Sequence, residues 1–221
     1  MNLKFRHGYY LFNHEFFSTL TEKAAYIAGF IAADGHLNLK ANRIEIAIKE
    51  SDRQHLVDIA NAMEYNGPIY EKPGVKAVRL QITSTKILEG LIAILGVTNQ
   101  KSLMLATCNI PEDLIGHFIR GYYDGDGTIR TTWKNGSIRI LGTQAFLSWI
   151  ADAITRHTGI EARYIRKREF ENVYELSYHT SNMLKVLEWL YKDATIKLAR
   201  KYQRYVNVLS ERSRAKCHTS K

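Results

Sequence analysis

The feature that most constrains this sequence is a stretch of ten residues that occurs twice. The first copy is Tyr26–Gly35 (YIAGFIAADG), the second is Phe118–Gly127 (FIRGYYDGDG), and matching positions lie 92 residues apart. Each copy is apolar enough to form a buried helix, and each ends in Asp-Gly. Because a repeat of this kind implies two similar structural units, it is the starting point for predicting the architecture.

The residues after each copy follow one order of predicted elements, since the apolar period changes from helical to alternating and back. In the first half these are a helix through Asp34, a hairpin over 36–49, a helix over 53–65, strands over 69–72 and 76–83, and a helix over 85–95. In the second half they are a helix over 112–126 capped from Asn109, a hairpin over 128–141, a helix over 144–157, strands over 162–168 and 173–179, and a helix over 181–191. The prediction is an α+β protein of two pseudo-symmetric αββαββα repeats with antiparallel sheets.

The predicted elements divide the chain into four segments. These are an N-terminal leader over 1–18, a first repeat over 19–108, a second repeat over 109–205 and a basic C-terminal tail over 206–221. The leader is rich in aromatic residues and is predicted to pack over the first repeat. No linker rich in Pro, Gly or Ser separates the repeats, so we expect one shared core and a pseudo-dimer within a single chain.

Each motif helix carries small residues four positions apart, namely Gly29 and Ala33 in the first and Gly121 and Gly125 in the second. Residues at this spacing share one helix face, and small side chains let two helix backbones approach closely. Since Gly costs about 0.8–1 kcal/mol relative to Ala inside a helix, both glycines call for a packing reason. We therefore predict that the two motif helices pack against each other.

This packing would bring Asp34 and Asp126 together at the C-terminal end of the helix pair. Unpaired carbonyls and the helix dipole disfavour anions there, and the two carboxylates repel each other. Such an oxygen-rich, anionic site suits a hard divalent cation, of which Mg²⁺ is the natural candidate. The alternative for either copy alone is an ordinary Asp-Gly turn.

Composition favours a polyanionic partner, since the net charge is +9 and the pI is about 9.5. Nucleic acid is the first interpretation, and a merely soluble basic protein is the alternative. The only cysteines, Cys108 and Cys217, form no disulfide or zinc pattern. The N-terminus does not resemble a secretory signal, and no apolar stretch is long enough to span a bilayer. We expect an intracellular protein of the cytoplasm, nucleoid or an organelle matrix, not secreted and without a membrane partner.

The two stretches IAGFIAADG and IRGYYDGDG resemble the paired motifs of the monomeric LAGLIDADG homing endonucleases. The resemblance covers about residues 20–205 through the motif pair, the repeat length and the order of elements, and Gly-x-x-x-x-Asp-Gly is its most specific part. It implies that the motif helices form the central interface. It also implies that the two sheets form a saddle in the major groove of double-stranded DNA, with the chain acting as a monomer that needs no protein partner.

The resemblance also implies a set of catalytic residues. The last Asp of each motif, Asp34 and Asp126, would bind Mg²⁺ or another divalent metal, helped by the carbonyls of Ala33 and Gly125. The family also uses a polar residue at the end of the second strand of each repeat and a lysine late in each repeat. Lys49 fits the first role, and Lys101 and Lys201 fit the second.

Three positions depart from the family pattern. Leu141 stands fifteen residues after Asp126, as Lys49 stands after Asp34, but its side chain cannot do the same chemistry, so Gln144 or Arg139 would have to substitute. Ala32 replaces the first motif Asp, which Asp124 keeps in the second motif. Arg120 takes a position that is usually small and indicates more polar packing around the second helix.

The outward faces of the predicted strands carry a set of mostly basic and amide side chains suited to reading base edges or holding phosphates. They are His36, Asn38, Lys40, Arg43, Glu45, Arg79, Gln81, Arg130, Thr132, Lys134, Arg139, Arg163, Arg166, Lys167 and Arg168. As a set on one face of the sheets, they favour DNA as the partner.

Together these observations predict a site-specific endonuclease that hydrolyses both strands of a long, asymmetric DNA target with a divalent metal. The alternative is a non-cutting DNA- or RNA-binding relative, such as an intron maturase or a transcription regulator. Loss of a motif Asp would favour that alternative, and both are present.

Overall fold

The computed structural model describes residues 10–96, 105–130, 136–162, 164–169 and 173–219. The predicted site residues Lys101, Thr132, Lys134 and Arg163 lie outside these residues, as does most of the turn of the second hairpin.

The first half begins with the motif helix α1 (Glu22–Asp34), which the Thr21 side chain caps by accepting a hydrogen bond from the Ala24 N–H. The elements after it are β1 (Gly35–Asn38), β2 (Arg43–Lys49), a 3₁₀ turn (Glu50–Asp52), α2 (Arg53–Ala62), β3 (Tyr70–Glu71), β4 (Ala77–Thr83) and α3 (Thr85–Leu95). The strands form an antiparallel sheet in the order β1-β2-β4-β3.

The second half repeats this order. Its elements are α4 (Ile115–Asp126), β5 (Thr128–Arg130), β6 (Ser137–Gly142), α5 (Gln144–Thr158), β7 (Ile165–Lys167), β8 (Tyr174–His179), α6 (Thr180–Tyr191) and α7 (Ala199–Thr219). The sheet order β5-β6-β8-β7 matches that of the first half. The predicted α+β fold of two antiparallel repeats is confirmed.

Two differences from the predicted boundaries have physical reasons. The motif helix α4 begins at Ile115 and not at residue 112, because residues 111–114 form a turn in which the Leu114 N–H donates to the Pro111 carbonyl. Asn109 does not cap this helix, since its side-chain amide donates to the carbonyl of Ala93 in α3. The predicted start of the basic tail at residue 206 lies within helix α7, and the sequence allowed for a helix that continues there.

The core fills the space between each sheet and its helices, and α1 and α4 join the two halves. The alternate residues Ile44 and Ile46 of β2 face this core, as do Ile138 and Ile140 of β6. The opposite face of each sheet carries the polar residues. The described part of the leader contacts the first repeat, since Phe17 is buried and the Asn13 N–H donates to the Met63 carbonyl.

Candidate functional site

The two motif helices pack through their glycines in a nearly symmetric way. A Cβ added at Gly29 would lie 2.0 Å from the carbonyl oxygen of Phe118, and one at Gly121 would lie 1.9 Å from that of Tyr26. Phe118 and Tyr26 occupy matching positions of the two motifs. Each backbone therefore fills the space that a side chain would take in its partner, and the predicted helix interface is confirmed.

The aspartates at the ends of these helices lie close together. A Cβ on Gly125 would be 2.5 Å from the Cβ of Ala33 and 3.6 Å from the carboxyl carbon of Asp34. Partial removal from water, together with the negative charge of Asp34, raises the pKa of Asp126 to about 6. Partial removal from water also raises the pKa of Asp34, although the nearby Lys201 and Arg200 lower it. The two carboxyls thus form an electrostatically coupled pair.

The glycines that end the motif helices do not adopt turn conformations. Gly35 and Gly127 have extended backbones (φ −84° and −76°), so each helix passes directly into a strand. A Cβ at either glycine would lie within 2.5 Å of the helix carbonyl four residues earlier. Glycine is needed there because of close packing, and this direct passage fixes each Asp between a helix and its sheet.

The residues present fit a divalent cation. Two coupled carboxylates and the carbonyls at two helix ends supply oxygen ligands of the type that Mg²⁺ and Ca²⁺ prefer. Within the described ranges, no group of three or more His, Cys, Asp or Glu side chains is placed to hold a metal. A cation at Asp34 and Asp126 would therefore need carbonyl, water or substrate oxygens to complete its shell.

Lys201 lies beside this pair, but its ammonium group binds backbone. It donates to the carbonyls of Tyr123 (2.6 Å) and Asp124 (2.8 Å) and approaches that of Gly125 (3.4 Å). The side chain is buried, and the loss of hydration lowers its pKa to about 8. Lys201 thus satisfies the last carbonyls of α4 and competes for the Gly125 oxygen that the resemblance assigns to metal.

Lys49 lies at the edge of a cavity of about 400 Å³ beside Asp34. The same cavity is lined by Asp52 from the 3₁₀ turn, Lys72 from the loop after β3 and Arg200 from α7. Arg200 donates through Nε to Asp52 Oδ2 at 2.8 Å. The sequence patterns did not single out Arg200, and they indicated Asp52 only as a cap of α2, since neither residue belongs to a motif or to a strand face.

The strand register changes the residue that corresponds to Lys49. His36 pairs with Glu45 in the first sheet, and Thr128, the residue that matches His36, pairs with Arg139 in the second. Counting along β2 and β6 from these pairs matches Leu141 to Ala47, and it matches the residue two positions further on to Lys49.

That residue is Thr143, so the sequence alignment was displaced by two residues at this point. The Thr143 hydroxyl donates to the Leu105 carbonyl and accepts the Phe146 N–H, which makes it the N-cap of α5. Four residues separate the paired Asn38 and Arg43 in the first hairpin, whereas six separate the paired Arg130 and Ser137 in the second, and this difference in length caused the displacement.

The second motif contains a buried polar centre at Asp124. Its carboxylate accepts hydrogen bonds from the hydroxyls of Tyr26 (2.8 Å) and Tyr191 (2.9 Å) and from the N–H of Leu198 (2.8 Å). These donors belong to α1, to α6 and to the segment before α7. Asp124 therefore ties three parts of the chain together, and burial raises its pKa despite the hydrogen bonds.

Arg120, one helical turn before Asp124, forms a second buried centre of the helix pair. Its guanidinium donates to the carbonyls of Ile196 (3.2 Å) and Leu190 (3.1 Å), pairs with Glu22 of α1 and lies over the ring of Tyr26. The polar packing expected from this arginine is therefore present, and it joins α1 to α4 by a buried ion pair.

The predicted DNA-reading residues of the first sheet share one face. In β1, β2 and β4 the register brings together His36, Asn38, Arg43, Glu45, Arg79 and Gln81, while Lys40 lies in the β1–β2 turn. Glu45 organises this face, because it accepts a hydrogen bond from Gln81 (2.6 Å) and lies within 4.0 Å of Lys72 and Arg79.

The second sheet has a similar polar face. The register brings together Arg130, Arg139 and Arg166 with three residues that the sequence patterns did not single out, which are Ser137, Ser177 and His179. Arg139 lies 3.6 Å from Glu175. Lys167, the last residue of β7, alternates with Arg166 and therefore lies on the opposite face of the sheet. Arg168 follows that strand as an exposed residue.

The fold, with its two packed motif helices, is similar to that of LAGLIDADG proteins of known structure. The sequence profile of the LAGLIDADG-like domain matches residues 21–96. A search of curated proteins found no match. The resemblance seen in the two motifs is confirmed, and the chain carries a LAGLIDADG-like domain.

Solved structures agree on the fold. The LAGLIDADG meganuclease I-AabMI bound to uncleaved DNA has a TM-score of 0.61 at 14% identity, with 90% of this chain and 93% of that chain covered. The LAGLIDADG homing endonuclease I-GzeII in complex with its DNA target gives the same values. Full-length DUF199/WhiA from Thermatoga maritima has a TM-score of 0.57 at 16% identity, and the match covers 90% of this chain but only 65% of that longer chain.

No helix within the described residues is long and apolar enough to cross a membrane.

Proposed function

We propose that this protein is a divalent-metal-dependent endonuclease that hydrolyses both strands of a long, asymmetric DNA site. The observation that carries the proposal is the coupled pair Asp34 and Asp126, which lies between two sheets whose polar faces are rich in arginine. One motif carboxylate per repeat agrees with one strand per repeat. The activity requires a compartment that contains DNA.

The residues of the chain have separate roles in this proposal. Asp34 and Asp126 would hold the metal, with the Ala33 and Gly125 carbonyls near it, and Lys49 and Lys101 would orient water or phosphate. Lys201 would act indirectly by holding the carbonyl end of α4. The bound cation would polarise the phosphate, activate water and stabilise the leaving oxygen.

The polar sheet faces would bind the major groove. A sheet face of this kind can present arginine and amide groups to base edges, while the remaining basic groups hold phosphates. The predicted contacts Lys40, Thr132, Lys134, Arg163, Lys167 and Arg168 belong to the same proposal. The likeness to single-chain endonucleases supports action as a monomer.

The test is cleavage of a library of random duplexes in Mg²⁺, followed by cloning of a cut site. Asp34→Asn and Asp126→Asn should each lower the rate at that site by about a hundredfold or more, because each removes a charged metal ligand. Asp113→Asn is the matched control, since Asp113 is an exposed carboxylate near the opposite end of α4. Full activity in both motif variants would contradict the assignment.

A second candidate is a protein that binds nucleic acid without cutting it. The arrangement around Asp126 favours it, since Lys201 is engaged with carbonyls and Thr143 has its hydroxyl in use. Incubation of the wild-type protein with the same duplex library, and separately with RNA, distinguishes the two. A non-cutting protein would retain duplexes or RNA and give no Mg²⁺-dependent product.

A further inference from the structure

The metal-binding role proposed for Asp34 and Asp126 does not account for the cavity beside Asp34. It measures about 400 Å³, which is in the range of sites for small ligands. Three cationic side chains line it, namely Lys49, Lys72 and Arg200, together with three acidic residues, Asp34, Asp52 and the hydrogen-bonded Asp124. Among these, Lys72 is near Glu45 and Arg200 is bound to Asp52, whereas Lys49 is exposed at the end of β2.

Arg200 reaches this cavity from the other repeat. It lies in the first turn of α7, and its ion pair with Asp52 of the 3₁₀ turn holds it against the first repeat. The Arg200 side chain is still 46% exposed, so part of the guanidinium remains available to a ligand. Arg200 and Asp34 line the same cavity, and the positive charge of Arg200 partly opposes the rise that burial causes in the pKa of Asp34.

Two of these cations, Lys49 and Arg200, have no charged counterpart in the second repeat, whereas Lys72 is matched by Arg168, which follows β7 as Lys72 follows β3. The counterpart of Lys49 is Thr143, and the polar face near it carries Leu141 and Glu175, which pair directly. By the spacing that matches Lys101 to Lys201, the sequence counterpart of Arg200 is Gln100, which carries no charge. The surroundings of Asp34 and Asp126 therefore differ in charge although the helices are nearly symmetric.

We propose that this cavity is a phosphate-binding subsite of the first repeat, in which Arg200, held by Asp52, and Lys49 contact a backbone phosphate of the bound DNA. A guanidinium with one edge fixed on a carboxylate keeps further N–H donors for phosphate oxygens. The subsite makes the two half-sites unequal, so one strand is held and cut more efficiently than the other. The proposal rests on DNA being the ligand of the proposed function.

The first test measures binding of the full-length protein to a short random duplex at several salt concentrations. Loss of one phosphate contact should reduce the slope of log K against log salt by about 0.9. Arg200→Ala and Lys49→Ala should each show this reduction, whereas Arg200→Lys keeps the charge and most of the slope. Thermal unfolding of each variant checks that the fold is intact.

Arg156→Ala is the matched control. Arg156 has a similar exposure of 51% and a similar ion pair with Glu112 at 2.9 Å, but it lies near the opposite end of α4. Its loss should leave the slope unchanged. Equal slopes for the wild type, Arg200→Ala and Lys49→Ala would overturn the proposal.

The second test follows each strand of a cloned target with separate end labels. Arg200→Ala should slow cleavage of one strand at least about tenfold more than the other, because a charge-assisted hydrogen bond is lost in one half-site only. Equal slowing of both strands would overturn the inequality. If the wild-type protein binds duplex but does not cut it, the proposed nuclease activity is refuted, and the salt slopes alone decide the phosphate subsite. If it binds no duplex, both the nuclease activity and the subsite are overturned.

Discussion

At the scale of single residues, the two motif sites differ through the side chains that surround the same Asp. Asp34 lies beside a cavity to which Lys49, Lys72 and Arg200 contribute, whereas the pKa of Asp126 is raised by loss of hydration and by the charge of Asp34. Asp124, at the position of Ala32 in the first motif, is fully buried, and both oxygens of its carboxylate accept hydrogen bonds from the interior.

Asp126 should make stability depend on pH in the metal-free protein. Its folded pKa of about 6 lies above the usual value near 3.9, so the folded state binds the proton more tightly and unfolding free energy falls as pH rises through this interval. Asp126→Asn should therefore gain about 1–2 kcal/mol over wild type between about pH 4 and pH 7, less than the full shift because solvent screens the charge.

Urea unfolding in EDTA at both pH values measures this difference, with Asp113→Asn as control. Mg²⁺ should then stabilise the wild type more than Asp126→Asn at pH 7. A difference between wild type and variant that is constant with pH would contradict the assigned pKa shift.

Removal of the Asp124 carboxylate should be costly. Asp124→Ala leaves the hydroxyls of Tyr26 and Tyr191 and the Leu198 N–H without their acceptor in the interior, so we expect a loss of about 3–5 kcal/mol in unfolding free energy. Tyr191→Phe, which removes one donor, should cost about 1–2 kcal/mol. A double-mutant cycle of Asp124→Ala and Tyr191→Phe, measured by chemical denaturation, gives the coupling energy of the two side chains. Additive losses would show that the Tyr191–Asp124 hydrogen bond does not contribute to stability.

At the scale of secondary-structure elements, the motif helices determine where everything else lies. Because each passes directly into the first strand of its sheet, the helix contact sets the position of both polar faces relative to the carboxylates. At this contact the glycines of each helix lie against backbone N–H groups and carbonyls of the other, so neither helix can shift along the other without a clash.

Gly121→Ala should weaken the helix contact. The new methyl would lie 1.9 Å from the Tyr26 carbonyl oxygen, so a backbone must move, and we expect a net loss of about 2 kcal/mol or more despite the better helix propensity of Ala. Thermal unfolding measures it.

Gly74→Ala serves as comparison for that variant. Gly74 has no neighbour within 4 Å of an added Cβ but a φ of +78°, so its cost is conformational, about 1 kcal/mol. If Gly121→Ala were as stable as wild type, the close helix contact would be contradicted.

At the scale of the whole molecule, the repeats depend on each other. The ion pairs Arg120–Glu22 and Arg200–Asp52 and the Tyr26–Asp124 hydrogen bond all join one half to the other. The two halves also share one buried cluster. We therefore expect them to unfold together.

This cooperativity can be measured because the three tryptophans, Trp133, Trp149 and Trp189, all lie in the second half. Their fluorescence reports on that half alone, whereas far-UV circular dichroism reports on both. Urea transitions followed by the two signals should coincide. A separate early transition in circular dichroism would mean that the first half unfolds independently.

The sequence by itself determined the repeat, the fold class and the two aspartates, because these depend on local apolar periods and on a motif that occurs twice. Tertiary structure alone decided which groups surround them. Arg200 and Asp52 lie 148 residues apart and meet only because the repeats pack, and the same packing puts Lys201 on the carbonyls of α4. The match of Lys49 with Thr143 depends on strand register, which a turn of unequal length conceals in a linear alignment.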